Sequence, residues 1–327
     1  MGAVQAQDYL GSLWAVGLRL PSATESDVEA AIAARAIVRT WPMRGTLHFV
    51  PAADVRWMLG LLTPRMLTRA AGRYRQLGLD DSAFQRSRRI LVRALEGGRQ
   101  LTRPEAYAAL AKGGVSPEGE RGLHIIGHLA QKAVLCFGPR QGRQPTFVLL
   151  DEWVPAGASP SREEALATLA RRYFDSHGPA ARHDFAWWSG LPVKDAQVAI
   201  TAAGAALVTT RDGIETSSAK AVRPSSRTAA LLPTWDEYIV AYKERSAVDH
   251  ERGRANPLAM VGRSLVLIDG RVCGAWRRVL AGATVQVRVE AWSKMSAEDR
   301  RLVEKAAQRY GAFLGKDVRL DFAQARH

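Results

Sequence analysis

The sequence repeats one order of elements, three helices followed by a two-stranded hairpin, and this repetition restricts the available folds more than any other feature. In residues 76–155, SAFQRSRRILVRALEGG reads as an amphipathic helix ended by Gly97 and Gly98. QLTRPEAYAALAKGG reads as a second helix, capped by Thr102, with Pro104 in its first turn and Gly113 just past its end. EGERGLHIIGHLAQKAVL gives the third, with Leu123, Ile126 and Ala130 on one apolar face. It leads into AVLCFGPRQGRQPTFVLLDEW, two strands around a Gly/Pro/Arg turn. Residues 156–222 repeat the order with SREEALATLARRYFDSHG, HDFAWWSGL and VKDAQVAITAAG. The hairpin ALVTTRDGIETSSA follows, with Asp-Gly at its turn.

Three helices and a hairpin is the order of a winged helix-turn-helix, so the expected fold class is α+β: tandem winged helix-turn-helix modules with a C-terminal mixed α/β, strand-rich region. Residues 1–75 read as a first module whose front end is missing. In that stretch SATESDVEAAIAARAIVRTW offers Ser22, Thr24 and Ser26 as helix caps. MRGTLHF alternates Met43, Gly45, Leu47 and Phe49 with Arg44, Thr46 and His48, the pattern of a half-buried strand closed by Pro51. RPSSRT (223–228) reads as a linker to the C-terminal region, 223–327. There SLVLIDGRVCGAW and ATVQVRVEAW read as strands, and a last helix is capped by Ser296 and interrupted by Gly311.

The charge asks for a partner. The chain has 327 residues and a formal net charge of +14, and 38 of its 46 basic residues are Arg. Arg matches phosphate geometry bidentately, so this excess favours a nucleic acid, although a solvated Arg-rich surface gives the same count. No apolar run is long enough to span a bilayer, and the first residues lack a signal-type core, which points to a cytoplasmic, nucleoid-associated protein with no membrane partner, expected to be a monomer. Cys136 and Cys273 are too few for a disulfide framework or a zinc site. There is no Gly-rich phosphate loop, HExxH or GxSxG, and no cofactor or metal is expected.

On the third helix of the second module, Arg121, His124, His128 and Lys132 recur at helical spacing and form a basic stripe just before the hairpin, where a DNA-contacting helix would carry one. A plain solvated face is the alternative. His124 and His128 are one turn apart, but no Glu or Cys completes a metal site. Arg140 and Arg143 sit at the expected wing tip. Arg44 and His48 share a face of the RGTLH strand, where they either reach a phosphate or pair with a carboxylate. Trp187 and Trp188 are read as core. Near the N-terminus, Gln5 and Gln7 of VQAQDY point the same way if the backbone is extended, presenting two neutral groups that both donate and accept hydrogen bonds. Asp8 would face the opposite side.

GAVQAQDY…LWAVGLRL, followed by WPMRGTLHFVPAADV, PTFVLLDEW, LLPTWDEYIVAYKERS and LVLIDGRVCGAWRR, resembles the AlkZ-like family of winged-helix DNA glycosylases in several separate motifs in the right order. The resemblance implies tandem winged helices on duplex DNA and excision of N7-alkylated purines, including bulky adducts or interstrand crosslinks of the kind azinomycin makes. It implies a catalytic Gln-x-Gln pair, here Gln5 and Gln7, and a polar-aromatic cluster, Trp235, Asp236, Glu237 and Tyr238, which either lines the cleft or forms a buried capping network. The expected enzyme is a monofunctional DNA glycosylase in which Gln7 orients the attacking water and Gln5 assists. With no Lys beside the pair, no Schiff base is expected, and full extrusion of a crosslinked base is not implied. The rival reading is a non-catalytic winged-helix DNA-binding protein or transcription regulator, which would have no need of the two glutamines.

Overall fold

The computed structural model describes residues 1–157, 159–220, 226–245, 260 and 262–324. The first half of the linker reading of 223–228, residues 223–225, lies outside them. The chain is mixed α/β and divides into two compact units, each built from separated stretches: residues 1–3, 29–173 and 189–207 form one, and 4–28, 174–188 and 208–327 the other.

In the first unit, β2 (Ile37–Met43) and β3 (Thr46–Pro51) form a hairpin that leads into the long helix α3 (Ala52–Gln76). The MRGTLHF alternation is therefore not one strand. Arg44 and Gly45 adopt left-handed backbone, φ +54° and +71°, and turn the chain between the two strands. Nor is β3 half-buried, since Leu47, His48, Phe49 and Val50 are all inside. The next elements are α4 (Asp81–Leu95), β4 (Leu101–Thr102), α5 (Arg103–Lys112), α6 (Arg121–Gln131), β5 (Leu135–Gln141), β6 (Gln144–Leu149) and the single turn α7 (Leu150–Trp153). Asp80 caps α4 by accepting from Ala83 N at 2.7 Å. The Thr102 N–H and hydroxyl both donate to Glu105 at the start of α5. Within this unit the strands run in the order β3-β2-β5-β6-β4, so the two hairpins join edge to edge through Arg39 and Phe137.

The α6 face differs from the expected one. Ile125, Ile126, Leu129 and Ala130 are buried, but Leu123 is 46% exposed. Its neighbour Gly122 is buried instead, and the missing side chain admits the Tyr107 ring: a Cβ there would lie 2.5 Å from it.

Further along lie α8 (Arg162–His177), α9 (Arg182–Ser189) and α10 (Val193–Ala203), then β7 (Leu207–Thr210) and β8 (Gly213–Thr216), hydrogen-bonded to each other. The turn between these strands is Arg211-Asp212, one residue earlier than composition predicts, and Gly213 opens β8 with φ +140°. Trp188 is fully buried, whereas Trp187 is 47% exposed and does not belong to the core.

The second unit also holds β1 (Val4–Gln5), α1 (Tyr9–Gly17) and a five-stranded sheet ordered β13-β12-β11-β10-β9. Its strands are β9 (Ala229–Leu232), β10 (Leu265–Ile268), β11 (Arg271–Ala281), β12 (Thr284–Ala291) and β13 (Asp317–Gln324). β12 and β13 are parallel, connected by α12 (Ala297–Leu314), and the other pairs are antiparallel. Ser296 caps α12 by accepting from Asp299 N at 3.1 Å. Gly311 does not interrupt this helix, which runs on to Leu314. A Cβ at Gly311 would lie 2.2 Å from the Val318 side chain and 2.7 Å from Lys316 O, so the glycine allows β13 to approach. The core sits under the Trp14 ring, which meets Tyr310 and Phe313 of α12 at 5.1 Å each. Trp14 and Trp276 donate their indole N–H groups to the consecutive carbonyls of Leu231 and Leu232, both at 2.7 Å.

Candidate active site and basic surfaces

The segment joining β1 to α1 carries both glutamines. Gln5 ends the strand and is buried, while Gln7 is exposed, two residues before α1 begins. Extended backbone covers only Val4 and Gln5 as strand, so the expected simple alternation of the two side chains does not extend through Gln7.

Gln5 is fixed from far along the chain. Its backbone N–H donates to Glu237 Oε1 at 2.7 Å, and the Trp188 indole N–H donates to Glu237 Oε2 at 2.9 Å. The Glu237 side chain is fully buried at the start of the single helical turn α11 (Glu237–Val240). Asp236 caps this turn, accepting from Tyr238 N at 2.8 Å, and Arg19 holds both Asp236 oxygens at 2.9 and 2.7 Å. Burial works against the Arg19 charge, but the hydrogen bond and charge of Asp236 outweigh it and raise its pKa. The Tyr238 hydroxyl donates to Gly270 O at 2.9 Å, and Trp235 adopts left-handed backbone at φ +65°. Of the two alternatives for residues 235–238, the buried capping network describes the contacts. Its link to Gln5 was not readable, because it spans 232 positions of sequence.

Asp8 occupies the N-cap position of α1, where its side chain makes no capping bond. Its carboxylate lies 3.8 Å from Arg278 and over Gly11, at which a Cβ would come within 2.5 Å of Asp8 Oδ2.

A family model described as DNA glycosylase AlkZ-like matches residues 1–313. The chain belongs to the AlkZ-like DNA glycosylase family. The interstrand DNA cross-link repair glycosylase of Streptomyces sahachiroi is 28% identical over 309 residues, which covers 84% of this chain and 80% of that protein. The solved structure of the Streptomyces sahachiroi DNA glycosylase AlkZ superposes with a TM-score of 0.72 at 22% identity, over 97% of this chain and 91% of that one, and has the same fold.

In this AlkZ-like glycosylase the basic residues singled out by sequence differ widely in their surroundings. Arg143 is exposed at the turn between β5 and β6, with Gly142 at φ +61° beside it. Arg140 lies in β5 and pairs with Glu29. Arg121 is held by backbone carbonyls, donating to Ser116 O at 3.0 Å and to Leu77 O, where it caps the end of α3. His124 approaches Glu120 at 3.4 Å and meets the Tyr74 ring edge-on. His128 stacks on Phe84 with ring centroids 3.7 Å apart. Burial first, then the Lys132 charge, push its pKa down to about 4, so it is neutral at pH 7. Lys132 is exposed. Packing thus engages three members of the stripe.

Arg44 and His48 are brought together, though not on one strand face. His48 is fully buried: Nδ1 donates to Thr46 O at 3.0 Å, which leaves Nε2 to accept from Arg44 at 3.1 Å. Burial first, then the Arg44 charge, hold its pKa well below 6.5. A neutral imidazole is the state that accepts this bond, so His48 aims the guanidinium and exposes no surface of its own.

Two clusters escaped the sequence reading. Arg172 pairs with the buried carboxylate of Asp54, which also accepts from the Trp57 indole at 2.9 Å. On the five-stranded sheet, an open groove of about 780 Å³ is lined by Arg263, Arg277, Arg278 and Arg288 together with Glu290. Arg263 pairs with Glu290 at 3.0 Å, and Arg278 donates to the Tyr310 hydroxyl at 2.9 Å. No local pattern groups these arginines: Arg277 and Arg278 are consecutive in β11, where side chains alternate faces, and Arg277 meets Arg288 only through the register of β11 with β12. No helix among the described residues is long and apolar enough to cross a membrane.

Proposed function

We propose that the chain hydrolyses the N-glycosidic bond of N7-alkylated purines in duplex DNA, including bulky adducts and interstrand crosslinks, without a covalent enzyme–DNA intermediate. The observation that carries this reading is the Gln-x-Gln segment itself, in a family of glycosylases, with Gln5 anchored inside and Gln7 exposed next to it.

The chemistry suits so modest a pair. Alkylation at N7 gives guanine a positive charge and makes it a good leaving group, so the glycosidic bond breaks with oxocarbenium character at the sugar. The enzyme has then to hold a water against the anomeric carbon and stabilise developing charge, not to supply a strong base. A carboxamide accepts a hydrogen bond from a water through its oxygen and donates one through its nitrogen. In this reading Gln7 orients the attacking water, Gln5 hydrogen-bonds the water or the sugar-phosphate, and Asp8 is structural.

The element order supports three successive winged-helix modules, at 1–75, 76–155 and 156–222, before a C-terminal region at 223–327; in this proposal the chain acts as a monomer on duplex DNA in the nucleoid. Phosphate contacts are assigned to Arg44, Lys132, Arg143, Arg140 and the groove arginines, and Arg121, His124, His128 and His48 hold the elements that present them. The similarity to a cross-link repair glycosylase supports the crosslink part of the substrate range.

The test is incubation of methylated duplex DNA with the protein, scored both for free 7-methylguanine and for abasic sites, with borohydride added in parallel. Free base, abasic sites and no trapped protein–DNA adduct are expected. A trapped adduct refutes the hydrolytic route, and duplex binding without release favours a regulator.

A further inference from the structure

We propose that Glu237 is a positioning residue for this reaction, acting on Gln5 through the Gln5 backbone, an inference that rests on the hydrolytic role proposed for the glutamine pair. The two Glu237 oxygens receive two different donors: Oε1 takes the Gln5 N–H at 2.7 Å and Oε2 takes the Trp188 indole N–H at 2.9 Å. Both bonds are to a carboxylate with no exposed surface, where charge-assisted hydrogen bonds are short and strong. The carboxylate is itself held. It opens α11, whose cap Asp236 is locked by the bidentate Arg19. The Trp188 ring on the other side is fully buried beside His177, whose backbone carbonyl accepts from the Tyr242 hydroxyl at 2.9 Å. A rigid frame thus ends on the peptide N–H of one of the two glutamines.

The requirement for a carboxylate follows from the donors. Only an acceptor-only group with two oxygens satisfies two N–H groups arriving from opposite sides. A glutamine at 237 has nearly the same shape but carries one oxygen and one NH2. Whichever way its amide is turned, an NH2 faces either Gln5 N–H or Trp188 Nε1, and one donor is repelled. The other consequence is a rescue. If Trp188 is replaced by a residue without an N–H, the amide of a Glu237→Gln variant turns its oxygen to Gln5 and the seat is restored.

The experiment measures single-turnover release of 7-methylguanine, duplex binding and hydrogen exchange of the Gln5 amide. It compares wild type, Glu237→Gln, Trp188→Phe and the double variant, all in the full chain. Glu237→Gln is expected to lower the rate of base release by about 10–100-fold, since misplacing a reacting group by a fraction of an ångström to an ångström has effects of this size. Duplex affinity should be unchanged, and Gln5 amide exchange should be faster. Adding Trp188→Phe to Glu237→Gln should recover at least about threefold of the lost rate, on the same physical ground of restored positioning. A wild-type rate in Glu237→Gln, a loss that lies wholly in binding, or a double variant slower than Glu237→Gln overturns the proposal. If wild type itself releases no base, the function proposed above fails, whereas unaltered Gln5 exchange in Glu237→Gln refutes the positioning contact whatever the activity.

Discussion

Replacing Asp236 by Ala removes the link between Arg19, just past the end of α1, and the turn that carries Glu237. The Asp236 side chain is completely buried, and the facing Arg19 side chain retains 30% of its exposure. Three contributions are lost: the cap on Tyr238 N and two charge-assisted bonds from Arg19 at 2.9 and 2.7 Å. Losing a helix cap costs about 1 kcal/mol. Removing one partner of a buried ion pair costs about 3–5 kcal/mol, because the remaining charge is stranded. Arg19 can rehydrate in part, which puts that cost at the low end, so the expected total is about 3–4 kcal/mol. At about 2–4 °C per kcal/mol for a unit of this size, the melting temperature should fall by about 6–16 °C. A double-mutant cycle with Arg19→Met isolates the pair: with no cation left to strand, Asp236→Ala should cost about 2 kcal/mol less in the Arg19→Met background. Urea unfolding at pH 7 of the four proteins, followed by tryptophan fluorescence, measures both quantities. A loss below about 1 kcal/mol for Asp236→Ala, or a coupling near zero, would refute the argument that this pair anchors α11.

Two further outcomes follow from packing and titration. Gly17→Ala places a methyl 2.3 Å from the Phe313 ring, which is itself wedged against Trp14. It should therefore destabilise the protein by about 1–3 kcal/mol despite alanine's better helix propensity, and a thermal melt no lower than wild type would contradict this. His48 is buried neutral with a pKa well below 6.5, so the unfolded chain binds a proton that the native state does not. Its contribution is complete above about pH 6.5 and is lost as pH falls toward the folded pKa, at up to about 1.4 kcal/mol per pH unit. Urea unfolding at pH 7.5 and 5.5 should show a smaller acid loss in His48→Gln than in wild type, and equal losses would show that His48 does not titrate this way.

What the sequence reveals divides by range. The Thr102–Glu105 pair, the Ser296 cap and the β7–β8 hairpin, whose turn falls one residue before the expected Asp-Gly, are set by residues within a few positions of one another, so composition and spacing suffice to find them. The Arg44-Gly45 turn was hidden because its neighbours continue an apolar-polar alternation straight through it. Leu123 and Gly311 show a different limit. Periodicity fixes the width of an apolar face, but close approach at a glycine, here Gly122 against Tyr107 and Gly311 against Val318, decides where the helix lies. Trp187 and Trp188 have adjacent places in sequence, yet one side chain is 47% exposed and the other fully buried, which no local pattern separates. At the site, the motif named Gln5 and Gln7, whereas Glu237 becomes a neighbour of Gln5 only through the fold.

The proposed reaction requires the carboxamide of Gln7 to direct water to the glycosidic carbon. The most direct measurement is the single-turnover rate of 7-methylguanine release from methylated duplex DNA by wild type and by Gln7→Ala, at equal duplex occupancy. Wild type should release the base and Gln7→Ala should lose at least about 100-fold, the scale of a positioned catalytic group, with unchanged affinity for DNA. Release by Gln7→Ala at the wild-type rate would contradict it.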